Sequence, residues 1–309
     1  MVTGGRPFLA PGYAEDFTMC RFTLYLGPPI RLDSLLITPT HSLIRQSTHS
    51  HEREEPLNGD GFGVGWYATH FTDEPAVFRS ITPAWNNRNL HNICRIVASD
   101  CILAHVRAAT QFSGVNEANC HPFRYRRYLF MHNGDVGNFH AVRRPLINSV
   151  CDEAFNNVFG STDSEHFFAV LIDEVLRGNH DGDPADKLAA ALDRTIVRVV
   201  DIVAKHGGGE SSFLNCAVSD GDNAVVSRFA DDAEHPPESL YYYLGDLYPR
   251  AEIEETREKG RDERTVIISS ERLTQDPSWE PIPPNYLAVL RRNRPPELRP
   301  CSLPSPIRR

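Results

Sequence analysis

A chain of 309 residues is long enough for one large domain or two small ones, and its 40% hydrophobic and 24% charged residues are those of an ordinary soluble globular protein. Lys+Arg 32 against Asp+Glu 41 leaves a formal net charge of -9, which argues against a general nucleic-acid binder because phosphate contacts need a basic surface. No apolar run approaches the roughly 18–20 residues that span a bilayer, so no membrane partner is expected.

The leading residues contain Gly4, Gly5, Pro7, Pro11 and Gly12 but no apolar h-region, so they do not read as a secretory signal. Lone Arg6 beside acidic Glu15 and Asp16 argues against a mitochondrial presequence. Arg21–Leu26 reads as a strand that starts directly after Cys20. Gly61–Tyr67 reads as a Gly-interrupted strand after a turn at Asn58-Gly59-Asp60-Gly61, its glycines pointing to close backbone approach. Cys101–Val106 and Tyr128–His132 are short apolar strands that end in polar residues. A helix is expected over Ser164–Arg177, with Phe167, Val170, Leu171 and Val175 on one face. A second starts at Asp183-Pro184, a cap followed by proline in the first turn, and stops at Gly207-Gly208-Gly209. Strands follow at Phe213–Val218, Ala224–Phe229, Leu240–Leu244, Val266–Ser269 and Tyr286–Leu290. The charged stretch Asp246–Arg264 reads as an exposed loop, and residues 296–309 as a flexible tail. Strands, then helices, then strands, without strict βαβ alternation, favour an α+β fold with antiparallel sheets.

The seven cysteines, at 20, 94, 101, 120, 151, 216 and 301, have no CxxC pair and are odd in number. They form neither a zinc framework nor a disulfide scaffold, which suits reduced thiols in a cytoplasmic protein, most of them small buried hydrophobes. The thirteen histidines, His49 and His51 included, lack the accompanying carboxylates and helical spacing of a metal site. The glycines of Asn58–Gly65 lack the Gly-Lys-Ser/Thr ending of a phosphate loop, so neither metal nor cofactor is expected. Cys120 and His121 are adjacent on an extended chain and point to opposite sides, which argues against a local dyad.

Three segments could carry chemistry. In Leu103–Thr110 an apolar strand delivers Arg107 and Thr110 into a loop. Arg is the preferred partner of a carboxylate, and a surface salt bridge is the alternative. In Phe130–Gly134, Asn133 beside the Gly134 N–H makes a donor pair suited to an oxyanion, or a plain Asn-Gly turn. In Gly160–Glu165, Asp163 either belongs to a helix cap or binds an ammonium group.

The order of the motifs is more specific than any one of them. Met19-Cys20-Arg21-Phe22, Asn58-Gly59-Asp60-Gly61-Phe62-Gly63, His105-Val106-Arg107-Ala108-Ala109-Thr110, Asn119-Cys120-His121-Pro122-Phe123, His132-Asn133-Gly134 and Ser161-Thr162-Asp163-Ser164-Glu165 follow one another along the chain. Together they resemble the class II glutamine amidotransferases, which are N-terminal-nucleophile hydrolases, over roughly Met19 to Leu290. Pro56–Gly63 and Ile81–Asn87 are similar to the amidotransferase-like subunit of the fungal-type glutathione-degrading complex. The γ-glutamyl hydrolase of ergothioneine synthesis looks like a more distant cousin.

The resemblance implies a four-layer αββα sandwich of two stacked antiparallel sheets, with residues 20–295 as a single domain. It implies hydrolysis of the γ-glutamyl amide bond of glutathione-like compounds or glutamine through a Cys20 thioester. Cys20 would be the nucleophile with its own α-amine as base, and Asn133 and Gly134 the oxyanion donors. Arg107, Thr110 and Asp163 would hold the glutamyl head, and Asn58, His105 and His132 would support the site. It implies a small γ-glutamyl substrate and a metallopeptidase-like partner subunit. Two other readings stand beside it: a glutaminase subunit feeding ammonia to a separate synthetase, and an inactive scaffold subunit of a peptidase complex. The departure from the family is Met1–Met19, which must be absent from an active form. It is expected to be an over-extended reading frame with a true start at Met19, and otherwise a propeptide or the mark of a non-catalytic homologue. Gln111-Phe112-Ser113 stands where many relatives carry an earlier glycine, which would reshape the pocket rim.

Overall fold

The structure, a computed structural model, describes residues 20–50, 57–108, 114–178, 181–232, 234–245 and 264–302. Strand β1 (Arg21–Arg31) starts one residue after Cys20. Its side chains alternate between faces: Phe22, Leu24 and Leu26 enter one buried cluster, Tyr25 and Ile30 another. Short helices α1 (Leu32–Leu36) and α2 (Leu43–Gln46) follow, then the hairpin of β2 (Phe62–Ala68) and β3 (Thr72–Ser80). Helix α3 (Arg88–Cys94) leads to β4 (Ala98–Val106), and β5 (Phe123–Tyr125) to β6 (Tyr128–Asp135).

Four helices come next: α4 (Phe139–Asn148), α5 (Asp152–Phe155), α6 (Asp163–Arg177) and α7 (Pro184–His206). Thr162 caps α6, its hydroxyl accepting from Glu165 N at 3.3 Å. Asp183 caps α7, accepting from Ala185 N at 2.9 Å and Asp186 N at 3.1 Å, with Pro184 in the first turn where no N–H partner is needed. The chain closes with β7 (Phe213–Ser219), β8 (Asn223–Arg228), β9 (Tyr241–Gly245), β10 (Thr265–Ser269), β11 (Trp279–Pro281), β12 (Tyr286–Arg291) and β13 (Glu297–Pro300).

Every strand pairing is antiparallel. One sheet has seven strands in the order β11-β9-β10-β1-β4-β2-β3, the other six in the order β13-β12-β8-β7-β6-β5. Phe22, Leu24, Leu103, Leu129, Met131 and Val226 pack between the two sheets. Leu32, Leu35, Leu43 and Leu90 of α1–α3 cover the outer face of the first sheet. Val142, Phe167, Leu171, Leu192 and Val199 of α4, α6 and α7 cover the second. The result is the expected αββα sandwich, with three apolar layers. Each fully buried Leu or Phe in them is worth roughly 1.5–3 kcal/mol of burial.

The expected strands and both long helices are present, with ends displaced by a few residues. Strand β3 was not expected. Its Thr-Asp-Glu-Pro-Ala-Val-Phe-Arg-Ser composition is polar and carries Pro75, which an edge position tolerates, and β3 is the last strand of its sheet. Helix α4 was not expected either, because it holds Pro145 and buries only Val142 and Leu146. The tail expected from residue 296 starts later: Val289 pairs with Glu297 and Tyr286 with Pro300, and Arg299 reaches Asp186 at 2.6 Å. The charged loop expected at Asp246–Arg264 lies almost wholly outside the described residues. No helix among the described residues is long and apolar enough to cross a membrane.

Candidate active site

Strand register brings the first group of residues together. Arg21 pairs with Val106 across β1 and β4, and Phe62 pairs with Val106 across β2 and β4. Cys20, Arg107 and Gly61, each one residue beyond these partners, therefore meet at one edge of the seven-stranded sheet. Arg107 N donates to Gly61 O at 2.8 Å, Asp60 N donates to Arg107 O at 3.1 Å, and the Cys20 thiol donates to Ala108 O at 3.6 Å. Gly61 has φ +116°, and a Cβ there would meet Cys120 Sγ at 2.7 Å and Ser80 O at 2.9 Å, so glycine is required. Arg107 is only 4% exposed, which removes the surface salt-bridge reading; its guanidinium donates to Gly114 O at 3.4 Å.

The six-stranded sheet supplies the second group. Asn133 and Gly134 lie within β6, paired with Asn215 and Leu214, so they are not a turn. Gly134 has φ +143°, and a Cβ there would drive into the Phe213 carbonyl. Asn133 is buried, and its Oδ1 has no hydrogen-bond partner among the described residues. An orphaned buried polar atom costs about 1–3 kcal/mol and marks a place where something other than stability sets the residue. Asp163 is the first residue of α6 and lies against the end of β6. Its Oδ2 accepts from Val136 N at 3.0 Å, and Ser164 Oγ lies 3.3 Å from its Oδ1. Thr162, not Asp163, is the cap.

The two sheets are tied together behind these residues. His105 Nε2–H donates to His132 O at 3.2 Å, joining β4 to β6. His132 Nε2–H donates to Phe213 O at 3.0 Å, so the neutral ring accepts at Nδ1 from the Ser164 hydroxyl at 2.9 Å. That choice withholds the hydroxyl proton from Asp163 Oδ1. The His121 ring lies against His105, tilted by 33° with centroids 4.3 Å apart, and neither of its ring nitrogens has a partner among the described residues.

Burial drives the His105 pKa down to about 3 and that of His121 well below the usual imidazole value. It lowers His132 too, with the Asp163 carboxylate opposing. All three rings are therefore held neutral in the folded chain, while an unfolded chain protonates them near pH 6.5. Below pH 6.5 the unfolded state binds more protons, so stability is full above that pH and falls as the pH drops toward the depressed folded values. Each ring contributes at most about 1.4 kcal/mol per pH unit. Denaturant melts at pH 7, 6 and 5 should show this loss, and His121→Phe should flatten it by up to one ring's share without destabilising the chain at pH 7.

Of the expected site residues, Cys20 and Arg107 lie together at the ends of β1 and β4, Asn133 and Gly134 lie in β6 with Asp163 at its end, and His105 and His132 join the two strands. Asn58 is buried beside them and donates its N–H to Ser47 O at 2.9 Å. Thr110 lies outside the described residues. Two contributors were not expected. Asn119 Nδ2 donates to Gly114 O at 2.7 Å and its Oδ1 accepts from Ser161 N at 3.0 Å, which knits the Arg107 loop to the start of α6. Arg21, already visible beside Cys20, is held by Glu271 and Ser50. Glu271 is 250 residues away in sequence, so only the β1–β10 pairing reveals it. Among the described residues no group of three or more His, Cys, Asp or Glu side chains could hold a metal ion.

The family profile described as glutamine amidotransferases class-II matches residues 45–303. The probable glutamine amidotransferase DUG3 of Saccharomyces cerevisiae is 37% identical over 294 residues, covering 89% of this chain and 82% of the yeast protein. The gamma-glutamyl-hercynylcysteine sulfoxide hydrolase of Mycobacterium tuberculosis is 31% identical over 160 residues, covering 52% of this chain and 66% of that protein. Among solved structures, a glutamine aminotransferase class-II domain protein from Silicibacter pomeroyi aligns with a TM-score of 0.64 at 27% identity, covering 91% of this chain and 99% of that one. The chain belongs to the class-II glutamine amidotransferases, and its stacked sheets are the N-terminal-nucleophile hydrolase sandwich. It is thus an amidotransferase-type enzyme, related to the DUG3-type proteins and to the ergothioneine-pathway γ-glutamyl hydrolases.

Proposed function

We propose that the protein hydrolyses the γ-glutamyl amide bond of glutathione-like compounds or glutamine through a thioester on Cys20. The observation that carries this reading is that β4, which ends beside a thiol and a buried guanidinium, is tied through His105 and His132 to β6, which bears an Asn-Gly donor pair and ends against the Asp163 carboxylate. The yeast and mycobacterial relatives, one named a probable glutamine amidotransferase and the other a gamma-glutamyl-hercynylcysteine sulfoxide hydrolase, support the same chemistry.

The Cys20 α-amine, freed when Cys20 is the first residue, takes the thiol proton directly or through a water. Sγ then attacks the γ-carbonyl carbon, and the electron pair of the carbonyl moves onto its oxygen. The Asn133 amide N–H and the Gly134 N–H stabilise that oxyanion. Collapse breaks the C–N bond, the leaving amine takes the proton from the α-ammonium, and a thioester remains. Water, deprotonated by the same amine, attacks the thioester carbonyl and releases glutamate and the free thiol. Arg107 pairs with the α-carboxylate of the glutamyl group, Asp163 with its α-ammonium, and Thr110 adds a hydrogen bond nearby.

Release of free glutamate from glutathione and from glutamine, compared side by side, tests the activity and ranks the leaving groups. Arg107→Lys should raise KM for γ-glutamyl substrates by about ten- to a hundredfold, the share of a charged two-pronged contact, with kcat much less affected. An unchanged KM would remove Arg107 from the pocket.

A further inference from the structure

The residue after the nucleophile is a buried arginine whose three nitrogens are all engaged. Arg21 lies on the same face of β1 as Thr23 and Tyr25, away from the space between the sheets. Its Nη1 donates to the carbonyl oxygen of Cys20 at 3.0 Å, its Nε to Glu271 Oε1 at 3.0 Å, and its Nη2 to Ser50 Oγ at 3.2 Å. The Ser50 hydroxyl donates to Glu271 Oε1 at 2.6 Å, and His41 Nε2–H donates to Glu271 Oε2 at 2.7 Å. Arg21 is 4% exposed, His41 6% and Glu271 1%, so this is a desolvated network rather than a surface pair.

A chain end is poorly ordered unless something ties it down. When Cys20 is first in the chain, no preceding peptide holds it. The Arg21 contact fixes the Cys20–Arg21 peptide plane through its oxygen, and with it the Cα position. One backbone torsion then remains to place the amine and Cβ, and one side-chain torsion to place the thiol. Resting on the nucleophile reading of Cys20, we propose that Arg21, locked by Glu271, Ser50 and His41, is a positioning residue that orients the terminal nucleophile, and that Glu271 cancels the guanidinium charge so that the α-amine keeps its basicity. Among the described residues, the charged groups that face Cys20 include Arg107, Asp135 and Arg21 itself, and Arg21 in turn meets Glu271, which His41 also contacts. Glu271 is the carboxylate bonded to the guanidinium that touches the Cys20 carbonyl, so its loss exposes the amine to an added positive field.

The test uses the full chain beginning at Cys20, with glutamate release and labelling by a glutamine-analogue diazo-ketone as readouts. Arg21→Lys retains the charge but cannot reach three acceptors at once. It should lower kcat on the order of tenfold to a hundredfold with KM and the acid limb of the pH profile unmoved. Glu271→Gln removes the carboxylate charge bonded to the guanidinium and should move that acid limb down by roughly one pH unit, an effect that loss of packing alone would not produce. Should Glu271→Gln fail to fold, Arg21→Lys decides alone. Both variants labelling Cys20 at the unsubstituted rate and pH dependence would overturn the positioning role while leaving the nucleophile in place. Failure of the label to reach Cys20 in the unsubstituted chain would remove both.

Discussion

A chain that begins at Cys20 should release glutamate from γ-glutamyl amides, and the same chain with Met1–Met19 still attached should not. Burial pushes the Cys20 thiol up to about 11, against the lowering pull of Arg107 and Arg21, so at pH 7 only about one molecule in ten thousand carries the thiolate. A base beside the sulfur must supply the difference. Among the described residues, the rings of His105, His121 and His132 do not do so: they are buried, held neutral and depressed, and the ring nitrogens of His132 and His105 Nε2 are committed to structural hydrogen bonds. The free α-amine of Cys20, with an ordinary pKa near 8, is matched to the task, whereas a peptide nitrogen has no lone pair to offer. Loss of a general base typically costs about 10²–10⁴-fold, and the leader-bearing chain should fall by at least that much. Cys20→Ala in the chain beginning at residue 20 should abolish turnover altogether, since no thioester can form. Turnover retained by either form, measured as glutamate release against a heat-killed control, would assign the chemistry to another nucleophile.

The parts of the fold that were legible in the sequence are those whose faces are set by local pattern. Helix α7 announces itself through Asp183-Pro184 at one end, Gly207 at the other and Leu188, Leu192, Ile196, Val199 and Val203 between them. Buried strands such as β4 and β7 read as short apolar runs. Edge strands did not, because β3 and β13 meet solvent along much of their length and carry no apolar alternation. The site divides in the same way. Arg107 and Asn133 were legible because each follows an apolar run that ends in polar residues, and the order of the motifs supplied what single residues could not. The neighbours each acquires depend on register, Arg21 opposite Val106 and Gly134 opposite Leu214, which no local pattern encodes. The Glu271 and His41 contacts to Arg21 depend on elements far apart in sequence, and Asn119 acts through Gly114 and Ser161 rather than on a substrate.

Asn133→Ala should lower kcat by about 10²–10³-fold while changing KM little, because its amide is proposed to act only once the carbonyl oxygen becomes an oxyanion. The backbone geometry is suited to this. β6 continues through Asn133 and Gly134 as a paired strand, so the donor pair is held by the sheet rather than by a loop. The stability of the folded chain should move the opposite way or not at all. Removing the amide also removes a buried Oδ1 that has no partner among the described residues, which offsets the cavity left by the smaller side chain. A variant that is as stable as the parent in denaturant melts yet slower by two or three powers of ten would separate transition-state stabilisation from packing. Gly134→Ala would not make this separation, since its φ of +143° and the Phe213 carbonyl against any Cβ tie activity to folding at that position. Should Asn133→Ala retain more than a tenth of the parent kcat, the oxyanion must be held by other donors, and the role proposed for the Asn-Gly pair would fall.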